Sequence, residues 1–214
     1  MPSIYQLKPA FQNLLRPGVK KLHDLGITAN QVTLFAMFVS IALALFLYQY
    51  YSKHLPSALL LLFPLWMLIR MAFNAIDGML AREFDQQSKL GAFYNELSDV
   101  IADTALYVSL IAFNFIDSRL LLFVTFLAIL SEYAGVMAPL IGAERRYDGP
   151  MGKSDRAFAF GFLATLVVVF SWFSTRVDIL TIIIQVIFIT MSLLLGITIY
   201  NRIKNSIHSS NKNS

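Results

Sequence analysis

Six stretches of apolar residues, each close to the length that a helix needs to cross a bilayer, constrain the fold of this chain most strongly. Their approximate bounds are 33–51, 55–76, 96–113, 120–141, 157–173 and 179–200. Only 14% of the 214 residues are charged, against about 25% in soluble domains. One helical crossing needs about 20 apolar residues. The sequence therefore predicts an all-α integral membrane protein with six transmembrane helices and no separate soluble domain.

The positive charges indicate how these spans are oriented. Thirteen of the 17 lysines and arginines fall on the same side of the predicted bundle as both termini, whereas Lys53, Arg119 and Arg176 fall on the other side. Because loops rich in Lys and Arg stay in the cytoplasm, we expect both termini to be cytoplasmic. No cleaved signal peptide is expected, since the first residues contain no apolar run of the required length.

The regions outside the spans are short. In residues 1–26, apolar residues recur at intervals of three and four with basic residues between them, which predicts an amphipathic helix on the cytoplasmic membrane surface. Pro17 is expected to bend or divide this helix. We expect residues 1–205 to form a single membrane-embedded domain, and residues 206–214, which are rich in Ser and Asn, to be disordered.

Ionisable and amide side chains cluster where the second and third spans approach their connecting loop. On the second span, one helical face carries Arg70, Asn74, Asp77, Gly78 and Ala81, and on the third span one arc carries Asn95, Glu96, Asp99 and Asp103. Such groups are costly beside a membrane unless they line a cavity or have partners. Hard divalent cations bind through carboxylates together with substrate phosphates. The pattern predicts a metal-bound phosphate site at the membrane surface. Cysteine chemistry is excluded, since the chain has no cysteine.

Segment 74–99 resembles the motif of the CDP-alcohol phosphatidyltransferases, which reads D-x2-D-G-x2-A-R and, after a spacer, G-x3-D-x3-D. The matching positions are Asn74, Asp77, Gly78, Ala81, Arg82, Gly91, Asn95 and Asp99. The spacing agrees throughout, and six of the eight residue types agree. Nearly the whole chain takes part in the resemblance, because the family also has six spans and an N-terminal surface helix.

The resemblance implies an enzyme that transfers a phosphatidyl group from a CDP-alcohol, CDP-diacylglycerol in bacterial relatives, to an alcohol, with release of CMP. Asp99 resembles the general base. The residues implied to contact CDP are Asn30, Thr33, Asp77, Gly78, Ala81, Arg82 and Gly91. The resemblance also implies one or two Mg²⁺ or Mn²⁺ ions and a location in a bacterial inner membrane. Homodimers are common in the family, and no nucleic acid is implied.

Two positions depart from the motif, because Asn74 and Asn95 stand where the family has metal-binding aspartates. An amide oxygen can coordinate Mg²⁺ but supplies no charge. The site therefore holds a single ion, or Glu96 and Asp103 restore the lost charge, or catalysis is lost. The second alternative is favoured, since these two carboxylates lie in the same arc. The candidate metal ligands are thus Asn74, Asp77, Asn95, Glu96, Asp99 and Asp103.

The loop after the fourth span is rich in cations and glycine. Its positive residues are Arg145, Arg146, Lys153 and Arg156, and they predict a pocket for a phosphate on the acceptor, which favours a phosphorylated polyol. The alternative of equal weight is that these charges only set the topology. Glycerol 3-phosphate, inositol phosphate, serine and a second lipid all remain open as acceptors.

Glu132 lies deep in the fourth predicted span, and we expect it to pair with Arg70 or a cavity residue. Two further classes of function stay open beside the enzyme. The first is a non-catalytic relative that binds CDP-lipid without turnover. The second is a small transporter, although transporters place their carboxylates nearer the bilayer midplane.

Overall fold

The structure is a computed structural model that describes the backbone of residues 4–213 and the side chains of residues 10–211. This part of the chain contains seven α-helices and no β-strand. The helices are α1 (Ile4–Asp24), α2 (Ala29–Tyr51), α3 (Leu62–Glu83), α4 (Lys89–Ser109), α5 (Ser118–Val136), α6 (Lys153–Phe173) and α7 (Val177–Asn213). The all-α prediction is confirmed for the described residues.

Five segments are long and apolar enough to cross a membrane. They are Ala29–Tyr51, Ala58–Glu83, Ser118–Ile141, Lys153–Phe173 and Val177–Asn211. The predicted span 96–113 corresponds to α4, which is not among them. Its second half is apolar, but Glu96, Asp99 and Asp103 make the helix too polar to qualify by composition. The sixth crossing therefore stays a prediction.

Polar caps fix where two of the central helices begin. Thr28 and Gln31 form a capping box at α2, in which Gln31 N donates to Thr28 Oγ1 over 3.3 Å and Thr28 N donates to Gln31 Oε1 over 2.9 Å. At α4, Ser88 Oγ accepts a hydrogen bond from Gly91 N over 2.9 Å. Caps of this kind satisfy backbone N–H groups that have no partner within the helix. They also hold two polar helix ends beside each other.

The N-terminal helix α1 packs against α3. Pro17 does not divide it, since the helix is continuous from Ile4 to Asp24. Val19 is fully buried in a small apolar cluster with residues of α2 and α3. The Arg16 guanidinium donates hydrogen bonds to the Glu83 carboxylate over 3.0 and 3.2 Å, which raises the pKa of Arg16. The side chains of residues 4–9 lie outside the described part, and the location of α1 on a membrane surface stays a prediction.

The remaining helices pack around one apolar core. α2 lies along α4, α5 lies along α7, and α3 lies against both α2 and α6. In the centre, the Tyr107 ring of α4 stacks on the Phe160 ring of α6 with 3.7 Å between centroids. This arrangement brings the start of α2, the end of α3, and the starts of α4 and α6 to the same end of the bundle.

The C-terminal segment is helical, where the sequence predicts disorder. α7 continues to Asn213, and only Ser214 of the predicted tail lies outside the described residues. Ser206 is buried, and the Ser210 hydroxyl donates a hydrogen bond to the Ile141 carbonyl. The prediction of a disordered tail is therefore wrong for 206–213, because α5 and the turn after it give this polar segment partners.

Candidate active site

A cavity of about 330 Å³ opens between α2, α3 and α4, at the end of the bundle where α3 leads into α4. Its lining includes all seven residues for which the resemblance implies contact with CDP: Asn30, Thr33, Asp77, Gly78, Ala81, Arg82 and Gly91. Asn95 lines the same cavity. The fold thus brings both halves of the motif to one surface, called the nucleotide cavity below.

The loop between α3 and α4 adds polar residues that the sequence did not single out. Gln86, Gln87 and Ser88 also line the nucleotide cavity. Gln86 Oε1 accepts a hydrogen bond from Ala29 N over 2.8 Å, which ties the loop to the start of α2. These residues lie in the spacer, where the motif specifies no residue types. Their amides and hydroxyl were visible in the sequence, but only the fold places them beside the motif residues.

Gly91 lines the nucleotide cavity where a side chain would not fit. A Cβ atom at this position would lie 2.7 Å from Asn30 Oδ1 and 2.9 Å from Ser88 Oγ, closer than side chains tolerate. At Gly78 a Cβ would lie 3.0 Å from Arg82 Nη2. Both glycines therefore leave room for polar side chains that face the cavity.

Asp77 is the buried carboxylate of the nucleotide cavity. Its Oδ2 accepts a hydrogen bond from Thr33 Oγ1 over 2.7 Å, and Thr33 is held in turn by the Ala29 carbonyl. No ion pair among the described side chains involves Asp77, although Glu96, Asp99, Asp103 and Glu132 all have such pairs. Its negative charge is therefore available to a ligand.

Asp99, the predicted general base, is held by two cations. Arg70 Nη2 lies 3.1 Å from Asp99 Oδ1 and also donates to the Asp99 carbonyl over 3.1 Å. Lys153 forms an ion pair with the other carboxylate oxygen, Oδ2. Lys153, which was predicted to bind an acceptor phosphate, therefore contacts the predicted base directly.

A second cavity, of about 200 Å³, lies between α3 and α6. Its polar lining consists of Arg70, Asn74, Asp103, Lys153 and Ser154. Asn74 and Asn95, the two departures from the motif, thus line different cavities. The six candidate metal ligands do not form one cluster, and the described residues contain no group of three or more His, Asp or Glu side chains suited to a metal ion.

Glu96 and Asp103, which were expected to replace the missing carboxylates, are bound to arginines instead. Glu96 forms an ion pair with Arg145. Asp103 forms one with the buried Arg70, and Arg156 Nη2 lies 3.8 Å from its other oxygen. Their negative charge is already compensated within the protein. The structure therefore does not support the hypothesis that they restore the metal site.

Arg156 lies in the protein interior, where an acceptor phosphate cannot reach it. Its side chain is 1% exposed, and it donates a hydrogen bond to Glu132 over 2.9 Å. Arg202 and Arg145 also approach the Glu132 carboxylate, at 3.4 and 3.6 Å. Glu132 was expected to pair with Arg70 or a cavity residue. It pairs with arginines from the predicted acceptor loop and from α7, of which Arg156 lines a small cavity beside it, and not with Arg70.

Arg202, one of the thirteen cations that the charge pattern puts on the same side as the termini, has a structural role. Its side chain is buried, and it donates hydrogen bonds to the carbonyls of Ser131 and Asp148. The available signal was its spacing, since it falls on the same helical face as Leu195 and Thr198, both of which are fully buried.

Arg146 is also paired within its own loop. Its Nε donates to Asp148 Oδ1 over 2.8 Å, and Asn205 donates to the other oxygen of Asp148. Partial burial raises the pKa of Asp148, but hydrogen bonds from Asn205 and Arg146 outweigh this effect and leave the pKa below its usual value. The four predicted acceptor cations therefore do not converge on one open phosphate pocket.

Comparison with known proteins agrees with the resemblance seen in the motif. A family model described as CDP-alcohol phosphatidyltransferase matches residues 26–204. The chain belongs to the CDP-alcohol phosphatidyltransferase family. This assignment favours an enzyme over a transporter, since the family is one of phosphotransferases.

Relatives of this CDP-alcohol phosphatidyltransferase share much of its length. Inner membrane protein YnbA of Escherichia coli (strain K12) is 43% identical over 168 residues, which cover 78% of this chain and 82% of that protein. Two solved structures of phosphatidylinositol phosphate synthase PgsA1 from Mycobacterium tuberculosis have the same fold. The form with CDP-DAG bound has a TM-score of 0.68 at 22% identity and covers 91% of this chain and 92% of that one. The complex with manganese and citrate has a TM-score of 0.70 at 22% identity, with coverage of 90% and 88%.

The donor groups fit one divalent cation and do not fit two. Asp77 and Asn95 line the same cavity and offer a carboxylate and an amide oxygen, which suit a hard cation that also binds substrate phosphates. A second ion would require carboxylates that are free of other cations. Glu96, Asp99 and Asp103 all have ion-pair partners in the structure. The site therefore has the charge for a single ion at Asp77.

Proposed function

We propose that this chain transfers a phosphatidyl group from CDP-diacylglycerol to an alcohol acceptor and releases CMP. The observation that carries the proposal is the nucleotide cavity, in which six of the eight motif positions, all except Asn74 and Asp99, meet the start of α2. Its volume of about 330 Å³ is in the range of small-molecule sites. The CDP-DAG held by the PgsA1 neighbour supports a CDP-lipid as the donor.

The nucleotide cavity offers two kinds of contact to a cytidine diphosphate. Asn30, Gln86 and Gln87 supply amide groups, which can donate to and accept from the polar edge of a base and a ribose. Arg82 supplies a guanidinium for phosphate oxygens. The close approach at Gly91 allows the nucleotide to lie against the start of α4.

Asp77, with the Asn95 amide oxygen, would hold one Mg²⁺ or Mn²⁺ ion. When bound, such an ion polarises the phosphoryl oxygens and stabilises the departing CMP. Thr33 orients the Asp77 carboxylate through its hydrogen bond of 2.7 Å. A ligand held in this way by a second residue keeps its position as substrates come and go.

The reaction joins the acceptor oxygen to the β-phosphorus of the CDP-lipid and breaks the bond from that phosphorus to the oxygen of CMP. Asp99 accepts the proton of the acceptor hydroxyl. Arg70 orients this carboxylate by contacting both its side chain and its backbone carbonyl. The products are a phosphatidyl ester, CMP and a proton.

An apolar groove gives the lipid chains a route from the bilayer. It has a volume of about 440 Å³ and lies between α3 and α6, where Leu68, Phe158 and Phe162 line it. Met67, Met71, Ser154 and Ala157 line both this groove and the 200 Å³ cavity. A lipid lying in the groove would therefore place its head group beside Lys153.

The acceptor that we propose is a phosphorylated polyol. Arg145 and Arg146 are the partly exposed cations of the predicted acceptor set that do not contact Asp99, with side-chain exposures of 25% and 27%. Either arginine could exchange its carboxylate partner for an acceptor phosphate. The PgsA1 neighbours are named as phosphatidylinositol phosphate synthases, which supports an acceptor of this class.

We propose that the protein lies in a bacterial inner membrane with α4 as a sixth crossing and both termini in the cytoplasm. A relative described as an inner membrane protein supports the location, and the distribution of Lys and Arg supports the orientation. The six crossings then place both cavities on the cytoplasmic side, where a nucleotide is available. Homodimer formation stays a prediction.

The test is CMP release by the purified protein in lipid bilayers, with CDP-diacylglycerol, Mg²⁺ or Mn²⁺, and a panel of alcohols and phosphorylated polyols. The expected result is CMP release that depends on a phosphorylated polyol and is abolished by Asp99→Asn. Release with every acceptor omitted would indicate hydrolysis rather than transfer.

A second candidate function is CDP-lipid binding without turnover. The observation that favours it is the loss of two motif carboxylates at Asn74 and Asn95. The same assay distinguishes the two functions when the binding of CDP-diacylglycerol is measured alongside it. Saturable binding with no CMP release for any acceptor would favour the non-catalytic protein.

A further inference from the structure

Fixed cations surround Asp99 at the place where the motif would provide metal ligands. Arg70 lies 3.1 Å from one carboxylate oxygen, and Lys153 pairs with the other. The Arg70 side chain is 5% exposed, so its position is fixed by contacts within the protein. Both oxygens through which Asp99 could bind a metal ion thus already have positive partners.

One of the two motif positions that have lost their charge, Asn74, lies beside these cations, whereas Asn95 lines the nucleotide cavity. Asn74 lines the 200 Å³ cavity together with Arg70 and Lys153. An aspartate here would add a negative charge, and with Asp99 it would offer two carboxylates to a divalent cation. The asparagine removes that charge, while the nearby ammonium and guanidinium supply positive charge. The asparagine at position 74 and the nearby Lys153 therefore both make the charge around Asp99 more positive.

Neighbouring carboxylates do not offset this positive charge at Asp99. Glu96 and Asp103 are the acidic residues of α4 nearest in sequence to Asp99, and both are paired with arginines. Drawing either one toward a metal ion would break its ion pair with Arg145 or Arg70 and leave that arginine with a single carboxylate, Glu132 or Asp99, which is unfavourable away from bulk water.

We propose that Lys153 and Arg70 supply, at Asp99, the positive charge that a second divalent cation would supply in a site with four aspartates, so that the chain binds one divalent cation. The inference rests on the proposed function, because it concerns the charge that a phosphoryl-transfer site needs. Lys153 and Arg70 are positioning residues for Asp99. The single cation is assigned to Asp77 on the other side of the site.

The decisive experiment counts the Mn²⁺ ions bound by the wild-type protein in lipid nanodiscs, by equilibrium dialysis and electron paramagnetic resonance. We expect one ion per chain, lost in Asp77→Asn. Two ions per chain in the wild type would overturn the proposal, and so would the absence of any bound ion. This count requires no variant to fold and no turnover.

A set of variants tests whether Lys153 takes the place of the second ion. N74D/N95D/K153M restores both carboxylates and removes the ammonium, and we expect it to bind two Mn²⁺ ions per chain. The matched control is N74D/N95D/K53M, which removes a lysine from the opposite end of the bundle. Because Lys153 remains in the control, we expect its second ion to bind at least about tenfold more weakly. Equal affinity in the two proteins would contradict the role of Lys153.

Failure of this inference and failure of the proposed function give different results. A wild-type protein that binds two Mn²⁺ ions and releases CMP would support the proposed function and contradict the role given to Lys153 and Arg70. One bound ion without CMP release for any acceptor would contradict the proposed function and leave the charge substitution standing. Thermal unfolding of each variant shows whether a lost ion reflects a lost fold.

Discussion

The two sides of the site differ in how their charges are compensated. On the nucleotide side, Asp77 accepts a hydrogen bond from a neutral hydroxyl and faces a cavity of about 330 Å³. On the side of α6, the carboxylates of Asp99, Asp103 and Glu132 are joined to arginines and a lysine in a continuous network. The first side is prepared for a ligand, whereas the second satisfies its own charges.

Because of this difference, the loss of a carboxylate should have different consequences on the two sides. Removing the Asp77 carboxylate from the nucleotide side should weaken the binding of a ligand and leave the fold intact. Removing Glu132, the carboxylate that the buried Arg156 and Arg202 share, should damage the fold, whereas Arg70 keeps Asp103 as a partner when Asp99 is neutralised. Substitutions at Asp77, Glu132, Gly91 and Arg16 test these expectations.

Asp77→Asn should have the largest effect on activity. The variant loses the charge that holds the metal ion, so we expect CMP release to fall by more than about a hundredfold. Thr33→Val provides a graded comparison, since it removes the hydrogen bond that orients Asp77 but keeps the carboxylate, and it should cost about tenfold. Steady-state CMP release measures both. Activity near the wild-type level in Asp77→Asn would remove Asp77 from the site.

Glu132→Gln should have the largest effect on stability. The substitution removes the carboxylate that the buried Arg156 and Arg202 share and leaves Arg156 with Asp103 at 3.8 Å. The expected cost is about 3–5 kcal/mol. Thermal unfolding in lipid or detergent measures the loss. Asp178→Asn is the control, because the Arg176–Asp178 ion pair is exposed and should leave the melting temperature unchanged. Equal melting temperatures for the two variants would contradict the role assigned to the network.

Gly91→Ala should weaken nucleotide binding by a smaller factor. The added Cβ would lie 2.7 Å from Asn30 Oδ1, so Asn30 must move. Strain from such overpacking is about 1–3 kcal/mol, which corresponds to about tenfold or more in the Kd for CDP. Gly196→Ala is the control, since no atom lies within 4 Å of its Cβ position. Unchanged CDP affinity in Gly91→Ala would show that the nucleotide does not occupy this part of the cavity.

Arg16→Ala should have the smallest effect. Its ion pair with Glu83 joins α1 to α3 on an exposed surface, where such pairs contribute little. We expect CMP release within about twofold of the wild type. A larger loss of CMP release would mean that α1 affects the nucleotide cavity through α3. Measuring CMP release in Val19→Ala would then show whether the buried contact of α1 is responsible.

The sequence predicted the helical fold because helical periodicity depends on local spacing. The residues that the resemblance implied to contact CDP, such as Asn30, Asp77 and Gly91, line one cavity, whereas the six candidate metal ligands do not form one cluster. The helical tail and the pairing of Glu132 with Arg202 were not predicted. They depend on contacts between residues far apart in sequence, such as Arg202 with Ser131, which no periodicity encodes.

The contact between Lys153 and Asp99 could not be predicted from the sequence either. In the sequence Lys153 belongs to a cationic loop that suits an acceptor phosphate. The start of α6 places it instead against Asp99, on α4. Which carboxylate a lysine meets is decided by how α6 packs beside α3 and α4. The sequence could therefore predict that cations gather near the site, but not which of them contacts the base.

The central claim is that the nucleotide side binds the CDP-lipid and that Asp99 performs the chemistry. It is tested most directly by measuring CDP-diacylglycerol binding and acceptor-dependent CMP release on the same preparation of Asp99→Asn. The account predicts binding close to that of the wild type and no detectable release of CMP. Release at the wild-type rate, or loss of lipid binding together with release, would contradict it.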